Sequence, residues 1–178
     1  MKIEIETKRL FFRPLIESDV VQTYADWLND SEVNRYLETR HEVQTIKSCL
    51  AFIRHCNQDP LSNLFGIFLK ENGQHIGNAK LGNINPHHAR AELSLFIGEK
   101  SCRGKGLGTE VVQALTGYGF ERLGLERVQA GCYEKNLQSL RIFLNAGFTV
   151  EGFFRHHVID NGRTSGCFWL GILKHEFI

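Results

Sequence analysis

The sequence predicts an α/β layer fold with one mixed, twisted sheet. Three observations carry this. Runs that alternate with period two interleave with runs whose apolar residues recur at helical spacing. An Asn-Gly pair at residues 72 and 73 joins two β-rich runs. A glycine-rich stretch, SCRGKGLGTE at residues 101–110, lies between an apolar strand and an amphipathic helix.

RLFFRPL reads as the first strand. ESDVVQTYADWLND carries Val20, Tyr24, Trp27 and Leu28 at helical spacing, and IKSCLAFIRHC does the same with Ile46, Leu50 and Ile53, so two helices follow it. NLFGIFLKENGQHIGNAKLGNI is a hairpin turning at Asn72-Gly73, and RAELSLFIG alternates as a third member of that sheet. After the glycine stretch, Leu107, Val111, Leu115 and Tyr118 form one helix face that closes near Gly124. ERVQAGCY is the next strand. Asn136 is the N-cap of a short helix through Leu140, Phe143 and Leu144, with Gly147 as its C′ residue. The strands FTVEGFFRHHVI and TSGCFWLGILK complete the order βααβββαβαββ.

The 178 residues, 42% of them hydrophobic, suffice for one buried core, and no repeat or linker interrupts them, so residues 1–178 read as one domain. A net charge of +1 gives no field that would gather nucleic acid or an anionic membrane, so neither is expected as a partner. No signal peptide or membrane span is legible. Five cysteines, odd in number and without C-x-x-C spacing, suit a reduced, cytoplasmic compartment. The eight histidines show no H-x-x-x-H or H-E-x-x-H spacing, and no metal is expected.

The glycine stretch invites an anion, because small residues let N–H groups approach one and a following helix adds its positive dipole end. A Walker loop would need glycine at 99 and Ser or Thr after the lysine, where this chain has Glu99 and Gly106. A dinucleotide fingerprint started at Gly104 would put its third glycine on Thr109. What fits is R-x-x-G-x-G, read as Arg103, Gly106 and Gly108.

RLFFRPLIESD, CRGKGLG, Asn136-x-x-Ser139, NAGF and EGFFR, in this order from Arg9 to Lys174, resemble the GNAT superfamily of acyl-CoA-dependent N-acyltransferases. Together they are similar to its ribosomal-protein alanine N-acetyltransferase (RimJ/RimL-like) branch. The resemblance implies a GNAT-type α/β fold: a mixed, splayed central sheet of about seven strands with helices on both faces. It also implies acetyl-CoA as co-substrate, its diphosphate held by the loop and first helical turn from Arg103 through Gly104, Lys105, Gly106, Leu107 and Gly108 to Thr109. Pantetheine would lie between the strands Leu93–Gly98 and Val128–Tyr133, on backbone amides near Phe96 and Ile97 and on Asn136. The amine acceptor would attack the thioester directly, so Cys132 needs no covalent role.

Thioester aminolysis also needs a proton for the departing thiolate and a base for the amine. The resemblance points to Ser139 as the acid, although Ser139 equally suits the capping-box position behind Asn136. Tyr133 is the rival donor. Glu92, at the start of the strand before the glycine loop, is the candidate base and acceptor contact; a surface strand glutamate is the alternative, and His87 and His88 could serve instead. The acceptor cleft would draw on DWLNDSEVNRYLETRHE, chiefly Trp27, Asn29, Asn34 and Tyr36 beside Glu92. The function expected is acetylation of a primary amine, on a protein N-terminus or a small molecule. A nucleotide-linked amino sugar of surface-polysaccharide synthesis is the alternative acceptor, and a non-catalytic acyl-CoA-binding module is the rival from another class. The oligomeric state stays open, with a homodimer as one option.

Overall fold

The computed structural model describes residues 4–177. In chain order the elements are β1 (Ile5–Glu6), β2 (Leu10–Pro14), α1 (Gln22–Asn29), α2 (Ser31–Asn34), α3 (Ile46–Gln58), β3 (Asn63–Leu69), β4 (His75–Asn85), β5 (Arg90–Ile97), α4 (Leu107–Arg122), β6 (Arg127–Tyr133), α5 (Leu137–Asn145), β7 (Thr149–Asp160) and β8 (Arg163–Leu173). One mixed eight-stranded sheet runs β1-β2-β3-β4-β5-β6-β8-β7. All neighbours are antiparallel except β5 and β6, which α4 joins as a parallel crossover. The GNAT-type α/β order is as expected, with the two-residue β1 bringing about seven strands to eight.

The connection from β2 to β3 holds three helices rather than two. The Asp19 carboxylate accepts from Ile16 N at 2.8 Å and pairs with Arg13, which closes a 3-10 turn at Glu17–Asp19 and delays α1 to Gln22. Asp30 then accepts from Glu32 N at 2.8 Å and starts the four-residue α2. The side chain of one capping residue thus starts a further helical turn beyond the segment that apolar spacing marks.

Two buried clusters flank the sheet. Leu107, Val111, Val112 and Leu115 of α4 and Phe143 of α5 pack on one face, while Tyr24, Trp27 and Leu28 of α1 and Cys49, Ile53 and Cys56 of α3 pack on the other. Helix α4 carries glycines at 108, 117 and 119, each costing about 1 kcal/mol of helix propensity against alanine. Burial of its four aliphatic side chains contributes about 1.5–3 kcal/mol apiece and outweighs that cost. Gly108 is a packing residue: a Cβ there would lie 2.7 Å from Ile142 Cδ1 of α5. It brings α5, and with it Asn136 and Ser139, against the start of α4.

Candidate active site

Strands β5 and β6 pair only at Arg90↔Arg127, Ala91↔Val128 and Glu92↔Gln129. Beyond Glu92 they separate, while β6 stays paired with β8 along all of Arg127–Tyr133. That ladder uses only the far edge of β6, so both facing edges of the gap are unpaired: the rest of β5 and residues 130–133 of β6. Gly98 N donates to Ile76 O of β4 at 2.9 Å, and antiparallel alternation turns the main-chain groups of Phe96 the same way. Those of Leu95 and Ile97 face the gap. Of the two amides expected to hold pantetheine, Ile97 faces the opening and Phe96 serves β4 instead; the Phe96 ring stacks on Tyr24 and meets Trp27 edge-on.

The glycine loop closes the upper end of this gap. Gly104 and Gly106 sit at φ 73° and 75°, the left-handed region that a side chain resists. Gly106 is the N-cap of α4 and supplies no side-chain cap, so the N–H groups of Leu107, Gly108 and Thr109 in the first turn have no partner within the helix. Unpartnered N–H groups at a helix start are the kind of donor that can meet an anion. The Arg103 guanidinium does not belong to it. Its Nε donates to Ile97 O at 3.1 Å and its Nη2 to Gly98 O at 2.6 Å, which ties the loop to the end of β5. The Lys105 side chain is exposed. On the far side of the loop Arg9 Nη1 donates to Lys105 O at 2.8 Å, and Arg9 Nε to Glu110 Oε2 of α4 at 2.7 Å.

Across the gap, Asn136 Oδ1 accepts from Ser139 N at 3.1 Å and caps α5. Ser139 Oγ meets Cys132 Sγ at 3.3 Å. Burial pushes the Cys132 thiol up to about 11, so it stays protonated near neutrality and is no nucleophile. Tyr133, on the opposite face of β6, donates to Glu38 and accepts from Arg40 Nη2 at 2.9 Å. Burial, then the bond to Glu38, raises its phenol. Glu92 lies at the fork itself, its Oε2 accepting from Asn83 Nδ2 at 2.8 Å and its Oε1 from Gln129 Nε2 at 3.3 Å. His87 and His88 are exposed in the turn before β5, at the end of that strand away from the glycine loop. No group of three or more His, Cys, Asp or Glu among the described residues is placed to hold a metal ion.

Beside Tyr133 opens a cleft of about 910 Å³, lined by Asn34, Arg35, Tyr36, Arg40 and Asp160 among others. Tyr36 Oη donates to Lys135 O at 3.2 Å and its ring meets Tyr133 edge-on. Two of the four early residues expected in the acceptor cleft are elsewhere. Trp27 is buried against His75 and Phe96, where it fills the space above Gly98. Asn29 is consumed by a clamp, its Nδ2 donating to Ala25 O and Gln44 O and its Oδ1 accepting from Gln44 N. Glu38 and Arg40 belong to the same DWLNDSEVNRYLETRHE stretch that the sequence offers for the acceptor, and the fold lays both on Tyr133.

Fold and fork are those of an N-acetyltransferase. The chain belongs to the GNAT acetyltransferase family: the domain described as Acetyltransferase (GNAT) domain matches residues 9–149. It is 30% identical over 175 residues to the N-acetyltransferase p20 of Bacillus licheniformis, covering 96% of each chain. It is 31% identical over 160 residues to the N-acetyltransferase YoaA of Bacillus subtilis, covering 89% of each. In fold it resembles the spermidine N-acetyltransferase of Vibrio cholerae solved with CoA and spermine, with a TM-score of 0.86 at 20% identity, covering 96% of this chain and 99% of that one. The protein is thus an enzyme, as expected, and the rival reading of a non-catalytic module is set aside. No helix among the described residues is long and apolar enough to cross a membrane.

Proposed function

We propose that the enzyme transfers an acetyl group from acetyl-CoA to a primary amine, by direct attack in a ternary complex. One observation carries this reading: β5 and β6 part immediately above Glu92, and the gap opens on a glycine loop with two left-handed residues and a bare helix start. The loop and first-turn N–H groups receive the diphosphate. Ile97 N–H and Asn136 Nδ2 hold the pantetheine arm and leave the thioester carbon at the fork. Glu92 takes the proton of the amine, directly or through one water, and Ser139 protonates the departing thiolate; a positioned general acid or base contributes about 10²–10⁴-fold each. Tyr133 is second choice as acid, because its proton already rests on Glu38.

The acceptor is a protein N-terminus or a small-molecule amine. A second reading, an amino sugar carried on a nucleotide, draws support from Arg35 in the same cleft as Glu32, since such an acceptor brings an anion with its amine. The Asn136-x-x-Ser139 and glycine-loop motifs support the ribosomal-protein alanine acetyltransferase branch. One continuous sheet supports a single domain over residues 1–178, and five buried, free cysteines support a reduced, cytoplasmic setting.

Release of CoA thiol from acetyl-CoA, measured with a peptide bearing a free N-terminal alanine, with spermidine and with a nucleotide-linked amino sugar, tests the proposal. At least one amine is expected to raise release well above the rate without acceptor. Calorimetric binding of CoA with no amine-dependent release across the panel would overturn it.

A further inference from the structure

We infer that Arg9 is the positioning residue of the glycine loop: standing behind the loop, it sets the direction of the N–H groups that hold the donor's diphosphate. The inference rests on the acetyl-CoA reading above.

The loop carries two cations of its own, Arg103 and Lys105, but the Arg103 guanidinium is spent on the carbonyls of Ile97 and Gly98. Arg9, just before β2, is about a hundred residues away in sequence and lies against the loop from behind. Its Nη1 donates to Lys105 O at 2.8 Å. In a planar trans peptide the carbonyl and the following N–H point in opposite directions. A Lys105 carbonyl drawn toward Arg9 therefore aims Gly106 N–H away from Arg9, to the open side of the loop. Among the described residues a Cβ on Gly106 would meet only Arg9, with Nη2 at 3.8 Å, so the guanidinium also backs the left-handed residue itself.

Arg9 is in turn fixed by α4. Glu110 Oε1 accepts from Arg9 N at 2.9 Å and from Thr7 Oγ1 at 2.6 Å, and Oε2 from Arg9 Nε at 2.7 Å. Burial pushes the Glu110 carboxyl up, but these hydrogen bonds more than offset it and hold it below the usual carboxylate range. The carboxylate is one turn into the helix whose first N–H groups face the loop. One guanidinium thus joins the loop peptide and the helix start into a single rigid unit. Preorganised donors of this kind bind an anion without an ordering cost at the moment of binding.

Arg9→Ala and Arg9→Lys, titrated with CoA and with pantetheine, which lacks the diphosphate, test the role without any acceptor. Calorimetry follows CoA, and shifts of backbone amide NMR signals follow the weaker pantetheine. Arg9→Ala is expected to weaken CoA about tenfold or more while pantetheine changes by less than about twofold, the loss expected for a charge-assisted hydrogen bond. Arg9→Lys keeps the charge but cannot span Glu110 and the Lys105 carbonyl together, and it should weaken CoA nearly as much. Should Arg9→Ala fold poorly, Glu110→Gln gives the same CoA-selective weakening at smaller size. Unchanged CoA affinity in folded Arg9→Ala, or equal losses for both ligands, overturns the inference and leaves the acetyl-CoA reading standing. Wild-type protein that binds no CoA would instead overturn that reading.

Discussion

Ser139 Oγ and Cys132 Sγ lie 3.3 Å apart, and this contact separates two roles that coincide in sequence. In a capping box the serine hydroxyl would take the N–H of Asn136, but Asn136 N donates to Tyr133 O. The cap runs through the Ser139 main chain alone. Ser139→Ala should therefore keep the cap and its melting temperature while lowering kcat by about 10²-fold, with little change in the acetyl-CoA KM. Steady-state kinetics beside thermal melts check this, and full activity in Ser139→Ala would end its catalytic role. Cys132→Ala should stay within a fewfold of wild type.

Gly106→Val combines a β-branched side chain with φ 75°, a conformation such residues resist by about 1–3 kcal/mol. The loop can escape that strain only by turning its N–H groups, so CoA affinity should fall about tenfold or more while the core, which Gly106 does not enter, survives. Calorimetry on the folded variant decides. Gly108→Leu should behave differently, overpacking Ile142 and costing about 1–3 kcal/mol of stability in a denaturant titration.

Tyr133→Phe removes the donor to Glu38 and the acceptor from Arg40. With Ser139 as acid, kcat should remain within about threefold, whereas the acceptor KM should rise as the cleft wall loosens. A fall in kcat of about 10²-fold with unchanged KM would transfer the acid role to the tyrosine.

His75 supplies a pH prediction. Burial holds its imidazole below the ordinary value, with Asn78 Oδ1, Gly77 O and Asp19 favouring the charged form and Arg13 opposing it. The folded protein therefore keeps it neutral where the unfolded chain, titrating near about 6.5, binds a proton. Stability from this group is complete above that value and is lost as pH falls through it toward the folded value. Melting temperature should decline from about pH 7 to pH 5, and His75→Gln should flatten the decline. The Asp19 carboxyl, held low mainly by Arg13 against the burial that raises it, contributes a separate loss only below about pH 3.9.

What was legible in the sequence is what local rules govern. Asn72-Gly73 turns the β3–β4 hairpin; Asn136 caps α5; Gly147 N and Phe148 N bond Leu144 O and Phe143 O as a C′ glycine requires. The glycine loop was found by composition and placed by its flanking strand and helix. What was illegible depends on partners far along the chain. Arg9 and Glu110 are joined across 101 residues, and Asn29 finds Gln44 across 15, where periodicity carries no information. Trp27 shows the converse: helical spacing put it on an apolar face, and that face is core rather than cleft. Gly108 looked like one more phosphate-loop glycine because the neighbour that demands it, Ile142, belongs to another helix.

The sheet is mechanically two plates. β1 to β5 make one and β6 to β8 the other, and the seam between them is stitched at three positions, against seven between β6 and β8. A thread laid along the open part of that seam and bonded to both edges would weld the plates. The free edge of Leu93–Ile97 would then exchange its amide hydrogens more slowly, and the molecule would stiffen as one slab each time its donor site fills.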